Sequence, residues 1–367
     1  MKQRILFLSW KDITHPSAGG AELLTDVLAE HLAQSHDVTY FTSWYPGAKP
    51  QETIHGYTVI RRGTVYTVYL HAFFWWHWEK IYTKKYTHII DQVHGIPFFS
   101  LLYYRRPPIY TLVMEVAGSL WNTTYKAFVA FFGKQLENAW LLSYKTKQVI
   151  TISESTKNEL VSKGFSTKNI SILPMFTNIH HAEIPKKADQ PTILFIGRIA
   201  PVKQVKDTIE AYVIAQKSIP ELRLVIIGKT EQAYGKYATS SMEKTAQYPN
   251  IFYKPNATEQ EKKFWLEQSH LLIISSKKEG YGLVILEAAA CGTPAIGYRV
   301  PGIQDAIIDQ KTGILTSKNS PQELAKSVCE ILTNNARYSD MQTQAFAHAK
   351  SYTRENTGRA FEHFIRI

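Results

Sequence analysis

The 367-residue chain has only two cysteines, Cys291 and Cys329, which is too few for a disulfide framework and favours a reducing compartment. It also has no apolar run that reaches the ~18 residues of a membrane-spanning helix. No secretory leader precedes the apolar segment that starts at Ile5. We therefore expect a cytoplasmic protein that is soluble or peripheral on the inner face of the membrane.

Metal-binding patterns are missing as well. No Asp-x-Asp sequence occurs in the chain, so the commonest carboxylate clamp for Mg²⁺ or Mn²⁺ is absent. The histidine pairs His71 with His77 and His180 with His181 lack zinc spacing and a third ligand. We expect a protein that uses neither a metal nor another cofactor.

Apolar sequence is plentiful: 44% of the residues are hydrophobic and 20% are charged, which suits two α/β cores. Strand-like apolar runs alternate with helical segments in both halves, which predicts parallel sheets with helices on both faces. The predicted strands are 5–8, 38–41, 57–60, 89–93, 109–114, 149–152, 193–196, 222–227, 271–274 and 294–297. Between the halves, the polar segment 180–191 carries two prolines and no periodicity, which is typical of a linker.

The stretch after the apolar strand 271–274 is the most informative in the chain. Its loop carries Glu279, crosses Gly280 and Gly282, and enters a helix that carries Glu287. The glycines allow close backbone approach, and the helix start offers unpaired N–H donors at the positive end of a dipole, which predicts a diphosphate site. A carboxylate on each side can accept hydrogen bonds from vicinal hydroxyls, so the indicated ligand is a nucleotide sugar.

An ordinary alternative is that Glu279 is a solvated loop charge and Glu287 a surface helix residue. However, the neighbours of Glu287 are apolar, and an unpaired carboxylate would be costly to bury among them. The run from Glu279 to Pro294, E-G-Y-G-L-V-I-L-E-A-A-A-C-G-T-P, resembles the E-x7-E signature of retaining GT-B glycosyltransferases of family 4. The resemblance implies that Glu279 orients the donor sugar and Glu287 holds the ribose. It also implies donor contacts for Gly280, Tyr281, Gly282 and Leu283.

A second segment carries the family's G-R-x4-K pattern, as Gly197, Arg198 and Lys203 after the strand 193–196. The arginine fork and the lysine ammonium can converge on a pyrophosphate, supplying charge that other transferases obtain from a metal. Surface Arg and Lys are common, so this pattern alone would decide nothing. In the family, no protein nucleophile is expected, and the leaving diphosphate helps to deprotonate the acceptor.

Three further segments resemble the family less specifically. Gly19 and Gly20 resemble the glycine loop that approaches the donor phosphates, although a tight turn also needs glycine. Many members place a histidine after the strand 109–114, whereas this chain has Glu115, which contacts a substrate or serves as a helix cap or ion-pair partner. His94 matches another cleft-side position, with an ordinary loop residue as the alternative.

The resemblance covers nearly the whole chain and implies the GT-B architecture, two Rossmann-like domains facing across a cleft. We expect an acceptor-binding domain over 1–182, a linker over 183–191 and a nucleotide-sugar-binding domain over 192–352. A C-terminal helix over 353–367 should return to the first domain.

The acceptor is indicated by aromatic and basic sequence. Seven of the eight tryptophans precede the linker, and the segments 71–85 and 124–147 combine aromatic residues with lysines. Such segments either bind an anionic membrane surface or pack inward as core helices. We predict a lipid-linked or polysaccharide-precursor acceptor, with a soluble small sugar or glucan as the alternative. The net charge of +11 would also suit a nucleic-acid-binding protein, but no recognised binding motif occurs and we expect no nucleic acid.

Overall fold

The computed structural model describes residues 2–82, 86–104, 106–118, 120–121 and 127–367. The chain forms two compact units. One comprises Met1–Met175 and Arg354–Ile367, and the other comprises Phe176–Thr353. The first unit therefore ends upstream of 182, where we placed the end of the first domain.

An eight-stranded sheet forms the centre of the first unit. Its strands are β1 (Arg4–Leu8), β2 (Asp37–Thr42), β3 (Gln51–Ile54), β4 (Tyr57–Arg61), β5 (His88–Val93), β6 (Ile109–Val113), β7 (Gln148–Thr151) and β8 (Ile170–Ile172). Its helices are α1 (Gly20–Ala33), α2 (Val68–Tyr82), α3 (Ala127–Ser143) and α4 (Glu154–Ser162), besides the C-terminal helix. The strand order is β3-β4-β2-β1-β5-β6-β7-β8.

Neighbouring strands of this sheet run parallel except at one edge. There β3 pairs with β4 in antiparallel register, with Gln51 opposite Ile60. The two-residue turn between them has φ of 44° at His55 and 88° at Gly56, as a type I′ hairpin requires. β3 was not predicted as a strand, and it adds one antiparallel pair to the otherwise parallel sheet, because a short hairpin allows only antiparallel return.

The second unit contains a six-stranded sheet in the order β11-β10-β9-β12-β13-β14, with every pair parallel. The strands are β9 (Thr192–Ile196), β10 (Arg223–Ile227), β11 (Ile251–Lys254), β12 (Leu271–Ile274), β13 (Ala295–Gly297) and β14 (Gly313–Leu315). The helices are α5 (Val205–Ala215), α6 (Gly235–Met242), α7 (Glu259–Gln268), α8 (Leu283–Ala290), α9 (Ile303–Ala306), α10 (Pro321–Leu332) and α11 (Asn335–Ala349). The central strands are buried on both faces, which explains their continuous apolar sequence.

The polar segment predicted as a linker has no helix or strand and packs on the second unit. Lys187 lies inside it and donates hydrogen bonds to the carbonyls of Glu267 (3.0 Å) and Cys291 (2.8 Å) and to Thr293 Oγ1 (2.6 Å). Burial lowers the pKa of Lys187 to about 8. Lys187 is thus one anchor of the segment, besides the backbone N–H of Ala188, which donates to the Gln268 carbonyl at 3.1 Å.

The C-terminal helix α12 (Arg354–Phe364) belongs to the first unit and packs on α1. Arg354 forms an ion pair with Glu30 at 2.8 Å, and His31 Nε2 lies 3.3 Å from Glu362 Oε2. A Cβ atom at Gly358 would lie 2.4 Å from the His31 ring, so only glycine permits this close approach.

Each sheet has a switch point, where the strands on the two sides follow the chain in opposite directions. It lies between β1 and β5 in the first sheet and between β9 and β12 in the second. In open α/β sheets, ligands bind outside the carboxyl ends of the strands at such a switch point. The segments predicted to bind the donor follow β1, β9 and β12, and His94 follows β5. The topology therefore places them at the ligand-binding edges of their two sheets.

Candidate active site

Two segments meet at the carboxyl edge of the second sheet. One follows β9 and runs from Gly197 to Lys203, and the other follows β12 and carries Glu279. Between them, the backbone N–H of Lys277 donates to the carbonyl of Val202 at 2.9 Å. Because β9 and β12 are parallel neighbours, residues far apart in the sequence are held side by side.

Glu279 and Lys203 form an ion pair, with 2.5 Å between Nζ and Oε1. The side chains are 15% and 19% exposed, and Ser276 Oγ donates to the same carboxylate oxygen at 2.6 Å. A diphosphate bound at this edge would share the ammonium group with Glu279. The arrangement can orient a sugar hydroxyl and a phosphate at adjacent positions.

Arg198 has a different partner, which sequence reasoning missed. Its Nη1 lies 2.9 Å from Glu231 Oε1, and the arginine side chain is 56% exposed. Glu231 follows β10, the other neighbour of β9. A Cβ atom at Gly228 would lie 1.9 Å from the Gly197 carbonyl oxygen, so glycine allows the two strand ends to touch. Among the described residues, Arg198 and Lys203 thus pair with separate carboxylates.

The predicted diphosphate site, residues 280–283, contains Gly282, whose φ of 87° lies in the left-handed region that favours glycine. Helix α8 starts at the next residue, Leu283. The N–H of Ile285 already donates to the Gly282 carbonyl at 2.8 Å, so the N–H groups that lack an acceptor within the helix are those of Leu283 and Val284. The Tyr281 side chain is buried, and its hydroxyl lies 3.5 Å from that of Tyr352. Burial raises the pKa of Tyr281, so the phenol stays protonated and anchors the loop.

The turn at Pro301 and Gly302, which the sequence analysis did not single out, packs against the Glu279 loop. The N–H of Glu279 donates to the Pro301 carbonyl at 3.1 Å. Gly302 has a φ of 85°, and a Cβ atom there would lie 2.1 Å from the Glu279 carbonyl oxygen. The Pro-Gly pair in the loop between β13 and α9 was the available signal.

Glu287 is buried on α8, with 8% of its surface exposed. Its Oε1 lies 3.1 Å from Lys262 Nζ, and Lys262 also contacts Glu259 at 2.9 Å. Burial alone would lower the pKa of Lys262, but the two carboxylates raise it above its usual value. Lys262, on α7, was not predicted, and it compensates the buried charge that a ribose hydroxyl would contact.

In the first unit, Gly19 precedes α1, and its N–H donates to Glu22 Oε2 at 2.7 Å. The other carboxylate oxygen accepts the Trp10 indole N–H at 3.0 Å. Gly19 has an extended backbone (φ −142°), and a Cβ atom there would lie 3.7 Å from Glu22, so the fold does not require glycine at 19. Gly20 is the first residue of α1. A ligand that approaches the backbone remains the predicted reason for both.

His94 stacks on the Trp10 ring with centroids 4.5 Å apart. The loop after His94 is held by Asp91, which accepts hydrogen bonds from the N–H groups of Phe98 (3.0 Å) and Ser100 (3.2 Å). Burial raises the pKa of Asp91, and these hydrogen bonds act in the opposite direction. His94 therefore sits in an ordered aromatic environment at the β1/β5 switch point.

Glu115 is half-buried after β6. The backbone that follows it is fixed by Glu137, a buried residue of α3 that was not predicted. Glu137 Oε1 accepts the N–H of Ala117 at 2.7 Å, and Oε2 accepts the N–H of Gly118 at 2.9 Å and the indole N–H of Trp121 at 3.2 Å. This buried carboxylate thus holds the predicted site loop in which Glu115 departs from the family pattern.

One cluster of possible metal ligands occurs in the described part of the chain: Asp26, Glu30 and His55. Its groups already have partners. His55 Nδ1 lies 2.8 Å from Asp26 Oδ1, Tyr57 donates to the same oxygen, and Glu30 pairs with Arg354. The His55 turn precedes β4, so the cluster lies at the opposite edge of the sheet from Gly19 and His94.

Apolar side chains are exposed on two helices of the first unit. On α2 they are Leu70, Phe73, Phe74 and Trp78, and on α3 they are Phe128, Val129, Phe131, Phe132, Leu136 and Leu142. The alternative that these segments pack inward as core helices is therefore wrong for these residues, whereas Trp75 and Trp76 do pack on the core. Residues 83–85, 105, 119 and 122–126 and the Lys80 side chain lie outside the described structure, so the lysines predicted there are not placed.

Two family models match the chain. "Glycosyltransferase Family 4" matches residues 18–181, and "Glycosyl transferases group 1" matches residues 176–348. The chain belongs to the GT-B glycosyltransferases of family 4.

Relatives of this chain include a D-inositol 3-phosphate glycosyltransferase of Paenarthrobacter aurescens (strain TC1). It is 30% identical over 173 residues, which cover 47% of this chain and 42% of the relative. The match thus spans less than half of that protein. An uncharacterized glycosyltransferase of Methanocaldococcus jannaschii is 22% identical over 370 residues, covering 93% of this chain and 92% of the relative.

Solved structures similar to this chain include sucrose-phosphate synthase from Thermosynechococcus elongatus. Its TM-score is 0.82 at 20% identity, covering 100% of this chain and 98% of that chain. Anabaena HepE in complex with UDP and glucose has a TM-score of 0.74 at 14% identity, with 99% of each chain covered. At such identities the likeness concerns the fold, and it confirms the predicted GT-B fold class.

Proposed function

We propose that this glycosyltransferase is a retaining, metal-independent enzyme that transfers a sugar from a nucleotide diphosphate sugar to a lipid-linked or polysaccharide-precursor acceptor at a membrane surface. The observation that carries the donor part is the meeting of Lys203 and Glu279 at the β9/β12 switch point, beside the start of α8. The similar Anabaena HepE structure is a complex with UDP and glucose, which supports a donor of this class.

The groups at this edge suit a leaving diphosphate. Lys203 and Arg198 supply positive charge, and the first turn of α8 supplies N–H donors at the positive end of the helix dipole. Glu279 accepts hydrogen bonds from the donor sugar, while Glu287, already oriented by Lys262, accepts them from the ribose. Charge on the departing diphosphate is thereby stabilised by side chains and backbone in place of a metal.

The acceptor part of the proposal rests on the exposed helices α2 and α3. Leu70, Phe74 and Trp78 follow i, i+4 spacing and are 63%, 65% and 65% exposed. On α3, Phe128 is 74% exposed and Phe131 58%. Large aromatic side chains at the surface suit the interface of a membrane, where an amphiphilic acceptor resides. Among the described residues, no helix is both long and apolar enough to cross a membrane.

A second candidate is a transferase for a soluble acceptor. The D-inositol 3-phosphate glycosyltransferases that match this chain are named for a small, soluble acceptor, which favours this alternative. The two candidates share the donor site and differ in whether the exposed helices bind lipid.

The donor is tested by thermal shift with UDP, GDP and their sugar conjugates. A ligand at 100 times its dissociation constant stabilises the folded state by ~2.7 kcal/mol, which gives a clear rise in melting temperature. Lys203→Ala should lose this protection, whereas Lys217→Ala, an exposed lysine just beyond α5, should keep it. If no nucleotide protects the wild-type protein and oligonucleotides do, the transferase proposal is wrong.

The membrane is tested by sedimentation with anionic and neutral vesicles. Wild-type protein should sediment with anionic vesicles at low salt. The double variant Phe128→Ser and Phe131→Ser should sediment less, while Phe264→Ser, an exposed apolar residue on the second unit, should behave as wild type. Exchanging Lys80, Lys84 and Lys85 for glutamate should reduce the salt-sensitive part of binding. If the wild-type protein does not sediment with either kind of vesicle, the result favours the soluble acceptor.

A further inference from the structure

A cavity of about 440 Å³ lies in the first unit, where α2 meets the β3–β4 hairpin. Its apolar wall consists of Phe74, Trp75 and Trp78 from α2. Its polar wall contains Arg62 and His71. One small pocket thus combines an aromatic surface with two side chains that can bind an anion.

The aromatic wall is only partly covered by protein. Trp75 packs against Phe41, with ring centroids 4.9 Å apart, and forms the floor. Phe74 and Trp78 are each 65% exposed and lie one helical turn apart. Because Leu70 continues the same face, the apolar surface extends beyond the pocket as a stripe along α2. A stripe of this kind suits a long aliphatic chain.

The polar wall is ordered and cationic. Arg62 Nη1 donates to the carbonyls of Pro50 at 3.0 Å and Arg61 at 2.7 Å, which fixes the guanidinium group. Within the described residues Arg62 forms no ion pair with a carboxylate, in contrast to Arg61, which pairs with Asp12 at 2.7 Å. The remaining N–H groups of the Arg62 fork are therefore available to an oxyanion.

His71 adds a second group at the same wall. Its Nδ1 lies 3.0 Å from the carbonyl oxygen of Thr67 and therefore donates to it, which leaves Nε2 for a ligand. A Cβ atom at Gly63 would lie 2.6 Å from the His71 ring, so glycine allows the ring to pack against the backbone that follows Arg62. The imidazole thus has a fixed position in the lining that it shares with Arg62.

The pocket lies at the ligand-binding edge of the sheet. Arg62 directly follows β4, and β4 runs parallel to β2, as β2 does to β1. Arg62 is therefore at the same edge as the loop of Gly19 and as His94. This position favours a substrate over a lipid that merely covers the surface.

We infer that this pocket binds the lipid phosphate of the acceptor, with the phosphate on Arg62 and His71 and the aliphatic chain along Phe74 and Trp78. The inference rests on the proposed function, because it names the lipid-linked acceptor as a phosphate ester of a long aliphatic alcohol. An anion alone would need only the polar wall, and an aliphatic chain alone only the aromatic wall. A ligand that carries both groups accounts for the presence of both walls in one cavity.

The test is calorimetric titration of the full chain with decyl phosphate below its critical micelle concentration, beside decyl glucoside and inorganic phosphate. Decyl phosphate should bind at least ~10-fold more tightly than either single-feature probe, because only it uses both walls. Arg62→Gln should weaken decyl phosphate binding by ~10-fold or more, and Arg62→Lys by less. Arg4→Gln, an exposed arginine at the opposite edge of the sheet, should bind as wild type.

The variants Phe74→Ala and Trp78→Ala should weaken binding of decyl phosphate and leave that of inorganic phosphate unchanged. If Arg62→Gln binds decyl phosphate as Arg4→Gln does, or if decyl glucoside binds equally well, the phosphate site is refuted. If Arg62→Gln binds anionic vesicles as the wild type does and decyl phosphate binding is also unchanged, the surface binds bulk lipid and the phosphate site is refuted. Thermal protection by nucleotides is measured in parallel. Protection by nucleotides without binding of decyl phosphate would refute only the phosphate site, whereas absence of nucleotide protection would contradict the proposed transferase function.

Discussion

Glu137 gives the sharpest prediction about the first unit, because one buried carboxylate binds three N–H groups. We consider Glu137→Gln, which keeps the shape and removes the charge. The two carboxylate oxygens have separate donors: Ala117 on Oε1, and Gly118 with Trp121 on Oε2. A glutamine has one oxygen, so its NH₂ group must face an N–H donor on one side.

The expected cost follows from this geometry. At least one hydrogen bond to a charged acceptor is lost, and the others become weaker. A bond to a charged group contributes ~1.5–3 kcal/mol, and an unpaired buried donor adds a penalty, so we expect Glu137→Gln to cost about 2–4 kcal/mol. For a unit of this size the melting temperature should fall by roughly 4–16 °C.

Calorimetry and amide hydrogen exchange measure this effect. The N–H groups of Ala117 and Gly118 should exchange faster in Glu137→Gln. Sugar transfer should fall, while nucleotide affinity, which we propose depends mainly on the second unit, should stay unchanged. Glu154→Gln removes an exposed charge from α4 and should change the stability by less than ~0.5 kcal/mol. If both variants melt and exchange alike, the supporting role of Glu137 is refuted.

Further predictions concern the second unit. Arg198→Ala and Lys203→Ala should each lower kcat/KM by roughly 100-fold or more with the fold intact; near wild-type turnover would reject their role at the diphosphate. Glu287→Gln should weaken nucleotide diphosphate binding by roughly 10-fold, whereas Glu279→Gln should spare it and impair transfer; equal effects on affinity would contradict these roles. Transfer should survive EDTA, and a loss that Mn²⁺ restores would exclude the metal-free mechanism. Burial lowers the pKa of His270 to about 4 from 6.5, so the unfolded chain takes up its proton first and stability falls as the pH drops between these values. Denaturant titrations should show a smaller decline in His270→Gln, and an unchanged decline would contradict the assignment.

The strands show how far local sequence predicts this fold. All ten predicted strands are present, because each is a mostly apolar run that a sheet can bury. The four strands that were missed, β3, β8, β11 and β14, are three or four residues long. β3 and β8 lie at the edges of the first sheet, and β11 and β14 at those of the second. β7, β12 and β13 are equally short and were predicted, so the missed strands share their edge position rather than an unusual length.

The candidate site also combines features that the local sequence predicts with contacts that only the fold shows. The sequence placed Glu279 and Glu287 around a helix start because their spacing, the glycines between them and the apolar neighbours are all local features. It could not reveal that Lys203 pairs with Glu279 directly, since that contact requires β9 and β12 to be neighbours. Nor could it reveal Lys262, the partner of Glu287 on a different helix.

Sequence alone thus determined the family, the order of the two halves and the residues expected at the donor, because spacing along one strand, loop and helix encodes them. Tertiary structure decided which charges meet. The fold brings Glu231 to Arg198 and Glu137 to the loop after Glu115. It also stacks Trp10 on His94. The physical reason is that an ion pair or a stacked ring depends on distance in space, and the packing of a whole sheet sets that distance.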